Sequence, residues 1–414
     1  MPKVPELPQQ ESQYKWVMLA LTWLVYASFG VITGTIPPLV ELIVQDLSMT
    51  YSQMGLVLGA WQLVYIGTAY PLGVLVDRLG VRKSLGLGIV VMLLSLVLRG
   101  LAGDFFTLFV AVALFGVGGP IISIGAPKVV SVWFRGSQRG LAAGVYATGP
   151  LIGMSFALAT ASSVVVPVVG TWRGVSLVYG VLVLLVLLAW WRFARDIDVP
   201  QENQESDSPS ERSCSVEGPR SASLSLLRIS NVQIVLIFAV VTFLLNHGLN
   251  NWTPTLLREG GMALAQAGYW TAAATMIGAL GVLLIPNLAR QGYRKWLLGA
   301  LIGASSVTTV GLASLSGFSL LSSLMASYIV RGPLMPILTL VLMETRGIGA
   351  ARIGAASGLF FTAAEIGGFG GPLLLGLSRE WTGSLMMGVV VLGVLTAGLL
   401  VLLPLMKEPR ERVV

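Results

Sequence analysis

Twelve runs of apolar residues, each about as long as a membrane is thick, dominate this sequence. A hydrocarbon core about 30 Å thick is crossed by roughly 20 residues of helix. The runs fall at 16–39, 53–75, 84–102, 105–130, 140–163, 174–192, 232–251, 266–287, 296–314, 319–343, 353–376 and 383–405. Stretches such as VLVLLVLLAWW at 181–191 carry no alternation of period two, which argues against barrel strands. In lipid a spanning helix satisfies its own backbone, so each run is expected to be helical. Composition agrees: 55% of the 414 residues are apolar and only 11% are charged, against about 25% charged in a soluble domain. Too few charges remain to cover a water-soluble body of this size. A soluble enzyme, a disordered scaffold and a nucleic-acid binder are therefore set aside. The expected fold is an all-α membrane protein of twelve transmembrane helices.

The net charge of +7 would suggest a nucleic-acid partner in a soluble chain. Here Lys and Arg sit in short gaps between apolar runs, the pattern that sets membrane topology. With the N-terminus in the cytoplasm, 20 of the 26 basic residues lie on the cytoplasmic side, among them Lys15, Arg78, Arg82, Lys83, Arg135, Arg139, Arg290, Arg294 and Arg352. Arg99, Arg173, Arg258 and Arg379 lie on the far side, and Lys128 and Arg331 lie within helices. Both termini are thus expected to be cytoplasmic, in a multi-pass protein of the cell (inner) membrane. Residues 1–15 form a polar tail unlike a cleavable signal, so the first run is expected to persist. Residues 193–231, rich in Ser, Glu and Pro, cannot bury enough surface to fold alone and read as a flexible linker. Two six-helix bundles, 16–192 and 232–405, are expected to flank it, with a tail at 406–414. The single cysteine, Cys214, lies in that linker and is given no role.

The halves echo each other at an offset of about 213 residues. Arg139 opens RGLAAG and Arg352 opens RIGAASG; Gln53-Met54-Gly55 is repeated as Gln266-Ala267-Gly268. GGP at 118–120 pairs with RGP at 331–333, and GPLIG at 149–153 with GPLLLG at 371–376. Repeats related by an axis along the membrane normal build many secondary transporters. The pairs Gly140/Gly144, Gly149/Gly153, Gly354/Gly358 and Gly367/Gly371 have the spacing that lets helix backbones approach. They serve plain helix packing, rocking between the halves, or both.

After the second apolar run comes Gly73-Val74-Leu75-Val76-Asp77-Arg78-Leu79-Gly80-Val81-Arg82-Lys83. This resembles the loop signature of the major facilitator superfamily, matching at Gly73, Asp77, Arg78, Gly80, Arg82 and Lys83. Its second-half counterpart, Asn287 to Lys295, lacks the aspartate. The resemblance implies a twelve-helix transporter in which this loop is a conformational latch, with Asp77 meeting the positive end of a helix dipole. Alternatively the basic residues only set topology. Pro127-Lys128, Trp133-Phe134 and Arg139 to Gly144 are similar to carriers of small anions of the cyanate, nitrate and oxalate type. The family's helix-4 arginine of drug exporters is absent from Leu114 to Gly119, and the helix-5 export motif is only partial at Gly149 to Met154.

Charge at membrane depth is costly and needs a reason. Arg331 lies near the middle of the tenth run, followed by Pro333 and Pro336, which should loosen that helix. Its planar fork suits a carboxylate or nitrate-like anion; the alternative is an ion pair with Glu365 in the eleventh run. Glu365 is the deepest carboxylate and a candidate to take up and release a proton. The seventh run ends in Asn246-His247-Gly248-Leu249-Asn250-Asn251-Trp252-Thr253-Pro254. Asn246 and Asn250 share one face, as do His247 and Asn251, and so many amides with Gly and Pro suggest a broken helix lining a cavity. His247, the only histidine, is either a proton sensor or a plainly hydrogen-bonded side chain. Trp61, Gln62 and Tyr65 form a cavity wall or a packed face. Trp16, Trp133, Trp172, Trp190, Trp296 and Trp381 are expected as interfacial anchors, and Arg99 is expected to snorkel outward towards Asp104. Lys128 either guides an anion inward or snorkels.

These residues point to a secondary transporter moving a small, anionic solute by alternating access, with proton coupling through Glu365 or His247. Arg331, Asn246, His247, Asn250, Asn251, Trp61, Gln62 and Tyr65 would bind it. An exporter of cationic or drug-like compounds is the alternative, with Glu365 binding the cation. A membrane enzyme or receptor is disfavoured: there is no HExxH, no GxxxxGK[ST] and no serine–histidine constellation. No cofactor or metal is expected. The partners are a small molecule, protons and the bilayer, for a monomer.

Overall fold

The computed structural model describes residues 9–196, 225–290, 292–345, 348 and 352–407. Cys214 and most of the 193–231 linker lie outside these, as does the side chain of Asp77. Every regular element among the described residues is helical. Eleven helices or helix chains are long and apolar enough to cross a membrane. A further 29-residue helix, Tyr51–Leu79, packs among them and interrupts its apolar run with Gln53, Gln62 and several tyrosines.

The first half comprises α1 (Gln9–Thr35), α2 (Val40–Asp46), α3 (Tyr51–Leu79), α4 (Val81–Leu101), α5 (Phe105–Trp133), α6 (Ser137–Ala147), α7 (Gly149–Thr160), α8 (Val166–Val169) and α9 (Trp172–Phe193). The second comprises α10 (Ser230–Glu259), α11 (Leu264–Leu284), α12 (Arg294–Ser314), α13 (Gly317–Arg331), α14 (Leu334–Met343), α15 (Ile353–Thr382) and α16 (Met386–Leu402). Starts are set by ordinary caps. Thr50 and Gln53 exchange side-chain-to-backbone bonds of 3.2 and 3.0 Å ahead of α3, and Asp104 with Thr107 does the same ahead of α5. α3 and α11 begin 213 residues apart, as do α4 and α12.

The repeat is visible in packing as well as in spacing. A Cβ on Gly153 would collide with the backbone of Ala27 and Val31 in α1; on Gly367 it would collide with Val240 and Leu244 in α10. The partners stand 213 residues apart and the glycines 214, so only glycine permits the same close helix crossing in both halves. This overturns the pairing of GPLIG with GPLLLG, because packing matches Gly153 to Gly367 instead. The packing reading also fails at Gly140, Gly144, Gly354 and Gly358, where an added Cβ would meet nothing within 4 Å.

Those open glycines mark where the halves part. α3 runs against α15 through Tyr51 to Gly376, Gly55 to Pro372 and Gly59 to Phe369. α7 meets α11 where Ser155 Oγ donates to the Ala272 carbonyl and Leu158 abuts Gly268. These contacts lie at the end where α3 begins. Beyond Gln62 and Tyr65, Gly67 on α3 and Gly354 and Gly358 on α15 face open space. The halves therefore meet at one end and splay at the other, the end of the basic loops around Gly80, Gly136 and Arg294.

Two helices depart from the expected pattern. α10 is continuous for 30 residues through Pro254, so it is not the broken helix that its amides suggested. The amides serve the helix itself: Asn246 Nδ2 donates to the Thr242 carbonyl and Asn251 Nδ2 to that of His247. The break falls one partner away, at Gly332-Pro333 between α13 and α14. Proline there removes a backbone donor, as Pro333 and Pro336 implied.

Candidate functional site

The α13–α14 break sets Arg331 at the end of a helix, facing α10. Its side chain is 1% exposed. Nη1 donates to the backbone and side-chain oxygens of Asn246 at 3.1 and 3.2 Å, and Nη2 to Asn250 Oδ1 at 2.7 Å. The guanidinium carbon lies 3.9 Å from the Tyr328 ring centroid, a cation–π contact. Nε has no partner. All acceptors are neutral, so the charge is oriented but not cancelled. No ion pair joins Arg331 to Glu365 among the described residues.

Glu365 is buried on α15, and its Oε2 has no hydrogen-bond partner. A point one Cβ bond out from Gly368 is 2.7 Å from Glu365 Oε2, 3.2 Å from Gln62 Cγ and 3.3 Å from His247 Cδ2. Three helices thus converge there. Gln62 Nε2 lies 3.1 Å from His247 Nδ1, a bond between the halves. Trp61 packs edge-on to His247 at 5.7 Å and to Phe115 at 5.6 Å, with Phe29 and Tyr65 also against it. Asn251 is half-buried and engaged with its own helix. The structure brings Trp61, Gln62, Tyr65, His247 and Glu365 together, and sets Arg331 from α13 against Asn246 and Asn250 on α10.

The loop after α3 engages its own half. Gly80 has φ 77°, which lets α3 and α4 abut. Arg82 donates through its backbone N–H to Asp196 and through Nη2 to the Trp191 carbonyl, both at 3.0 Å. Arg78 and Lys83 are exposed, and Gly73 is half-buried.

Other expectations fail. Arg99 does not snorkel: it is 2% exposed, donates to the Ile32 carbonyl at 3.1 Å and stacks on Phe115. The last carbonyls of α1 lack helical partners, so a buried cation caps that helix end. Asp104, taken as the polar lure, instead caps α5. Trp133, Trp172 and Trp190, all near helix ends, are buried against protein rather than exposed, while Trp16, Trp296 and Trp381 are exposed. Two of these buried indoles are hydrogen-bonded: Trp190 donates to the Arg82 carbonyl and Trp172 to Asp46.

Sequence reasoning missed the seal at the closed end. Arg258 donates twice to Glu41 Oε2, at 3.0 and 2.8 Å, across the halves. Arg379 lies 3.0 Å from Glu259 and stacks over Tyr51. Ser52 N–H donates to Glu380. The only hint was four far-side arginines beside unassigned carboxylates. No cluster of metal-ligating side chains occurs among the described residues.

Comparison with known proteins places these features in a wider set. The family model described as Major Facilitator Superfamily matches residues 19–372. An uncharacterized transporter of Bacillus subtilis (strain 168), YycB, is 25% identical, with 94% of this chain and 92% of that one covered. The hexuronate transporter of the same organism is 24% identical, covering 82% of each. The quinolone resistance transporter of Acinetobacter baumannii is 23% identical, covering 84% and 83%. Among solved structures, a bacterial homolog of the human lysosomal transporter Spinster, inward-facing and occupied, superposes with a TM-score of 0.77 at 15% identity. It covers 95% of this chain and 97% of that one.

Proposed function

Since this chain belongs to the major facilitator superfamily, we propose that it is a gradient-driven carrier of a small organic anion. It is a membrane transporter and not an enzyme. The halves 16–192 and 232–405 would rock about the site, as twelve spans with both termini in the cytoplasm of a cell whose inner membrane holds the protein. On that orientation the splayed, basic end is cytoplasmic, and the described form is open inward.

One observation carries the substrate class: Arg331 is a buried guanidinium positioned by two neutral asparagines and left without a carboxylate. An uncompensated buried charge is costly; Arg331 is closed off in the described form at 1% exposure, and a solute anion would neutralise it once the side chains around it part. The surrounding amides and the Trp61 face suit the hydroxyl groups and C–H faces of a sugar-acid-like body, in line with the hexuronate carrier among the relatives. Glu365, apart from Arg331, would take the coupling proton. A second reading, export of a cationic compound, is favoured only by the unpaired Glu365 beside the aromatic wall, and a drug-resistance relative accords with it.

Uptake of labelled hexuronates and short carboxylates into proteoliposomes tests this. Losing charge-assisted hydrogen bonds worth about 1.5–3 kcal/mol should raise the apparent KM of Arg331→Ala roughly 10- to 100-fold. Arg331→Lys should recover little, lacking the fork. Equal transport of every anion by wild type and Arg331→Ala would end the anion assignment. Resistance to a cationic drug that survives Arg331→Ala and vanishes in Glu365→Gln would install the second reading.

A further inference from the structure

At the floor of the gap two buried acceptors lack a donor. Gln62 Oε1 and Glu365 Oε2 both have no hydrogen-bond partner, and their residues are 0% and 5% exposed. Both belong to the cluster around Gly368. The other end of the Gln62 amide is already committed: Nε2 reaches His247 Nδ1 across the halves. That bond requires the imidazole to carry its proton on Nε2, since Nδ1 must accept. No donor, the His247 Nε2–H included, makes a hydrogen bond to Glu365 Oε2 among the described residues. Unpaired buried acceptors are rare in folded proteins and call for an explanation.

A proton on the carboxyl supplies the missing donor. Glu365 Oε2 and the Gln62 side chain both abut Gly368; a carboxylic acid there can offer its O–H to Gln62 Oε1 and satisfy both atoms, which an ionised Glu365 cannot. We infer that Gln62, reaching in from the opposite half, is the positioning residue that reads the protonation of Glu365, forming a clasp Glu365–Gln62–His247 that holds the closed end shut. The acid donates to the amide oxygen, which polarises the amide and strengthens its donation to His247. When the proton leaves to water in the gap, the amide turns its Nε2 towards the carboxylate, Oε1 is left facing the unprotonated His247 Nδ1, and of the two bonds between the halves the one to His247 is lost. Other charged or titratable groups around the clasp are Tyr65 on α3, with Tyr26 behind it, and Arg331 and Tyr328 on α13. None of these bonds to Glu365 among the described residues. The inference rests on the alternating-access reading and on Glu365 as proton acceptor, but not on the substrate being an anion.

Double electron–electron resonance on the full chain in nanodiscs tests it. Spin labels replace the exposed Gln45 and Ser316 at the closed end, in a Cys214→Ser background. No substrate is added, so failure of the anion assignment leaves the result readable. Wild type should shift from the short to the long distance as the pH rises from about 5 to about 9, a span that contains the titration of a buried carboxyl. Glu365→Gln, whose amide can still donate to Gln62, should stay short throughout. Gln62→Met and Glu365→Leu should favour the long distance about tenfold at all pH, the value of one buried hydrogen bond in a two-state equilibrium. Gly368→Ala, which removes no polar group but wedges a methyl between the three side chains, should also lose the pH response. The clasp is overturned if Gln62→Met or Gly368→Ala follows pH as wild type does, or if Glu365→Gln opens as far as Glu365→Leu.

Discussion

Removing the charge of Glu41 should loosen the closed end by an amount that its geometry sets. Glu41 takes two hydrogen bonds from Arg258, at 3.0 and 2.8 Å, both on one oxygen, while the third nitrogen of that guanidinium is held by the Met262 carbonyl. The side chains are 34% and 22% exposed for Arg258 and Glu41. That is too wet for the full value of a buried pair and too dry for the near-zero of a free surface pair. Exposed pairs measure about 0.2–1 kcal/mol, so about 1 kcal/mol is appropriate here. Glu41 and Arg258 sit in opposite halves, so this energy counts only while the closed end is shut. Glu41→Gln should therefore shift the open-to-shut ratio about fivefold, since 1.4 kcal/mol is a factor of ten. The Gln45 and Ser316 spin-label pair reads the ratio directly. Raising the salt from about 0.1 to about 1 M should move wild type the same way and Glu41→Gln much less, because the Debye length falls from about 10 to about 3 Å. A distance distribution in Glu41→Gln identical to wild type, with salt acting equally on both, would refute the idea that this pair seals the halves.

Glycine replacements should separate packing from opening. Gly367→Ala drives a methyl into the α10 backbone and should cost about 1–3 kcal/mol, read as a fall in thermal stability of the purified protein. Gly358→Ala meets open space and should leave stability unchanged or raise it by about 0.5–1 kcal/mol through helix propensity. Arg99→Met, which replaces an unpaired buried cation by an apolar side chain, should be tolerated better than Arg99→Lys, because ammonium is compact and strongly hydrated; expression and melting temperature decide. The Thr107 backbone N–H holds the Asp104 carboxyl below the usual carboxylate value. The cap therefore stabilises the fold above the ordinary aspartate range and loses that contribution as the pH falls through the lower folded-state value. Asp104→Asn should lack this acid-side loss in melting temperature.

Membrane insertion was determined by the sequence alone, because a helix in lipid needs only length and apolarity, both local properties. The loop from Gly73 to Lys83, the offset near 213 and the lone depth charges Arg331 and Glu365 were legible for the same reason. Local signals misled where a side chain's fate depends on its neighbour. The amides of α10 read as a break but bond their own backbone and hold Arg331; Arg99 read as a snorkel but caps α1; Trp133, Trp172 and Trp190 read as anchors but are buried among protein side chains. Which glycines pack and which face the gap could not be told from spacing, since Gly153 and Gly144 sit in the same kind of motif and differ only in what stands opposite. The seal of Glu41 with Arg258, the Gln62–His247 bond and the separation of Arg331 from Glu365 exist only once the two halves are set together. Sequence periodicity fixes what one helix can bury, whereas these contacts join residues far apart in the chain whose pairing depends on the relative placement of whole helices.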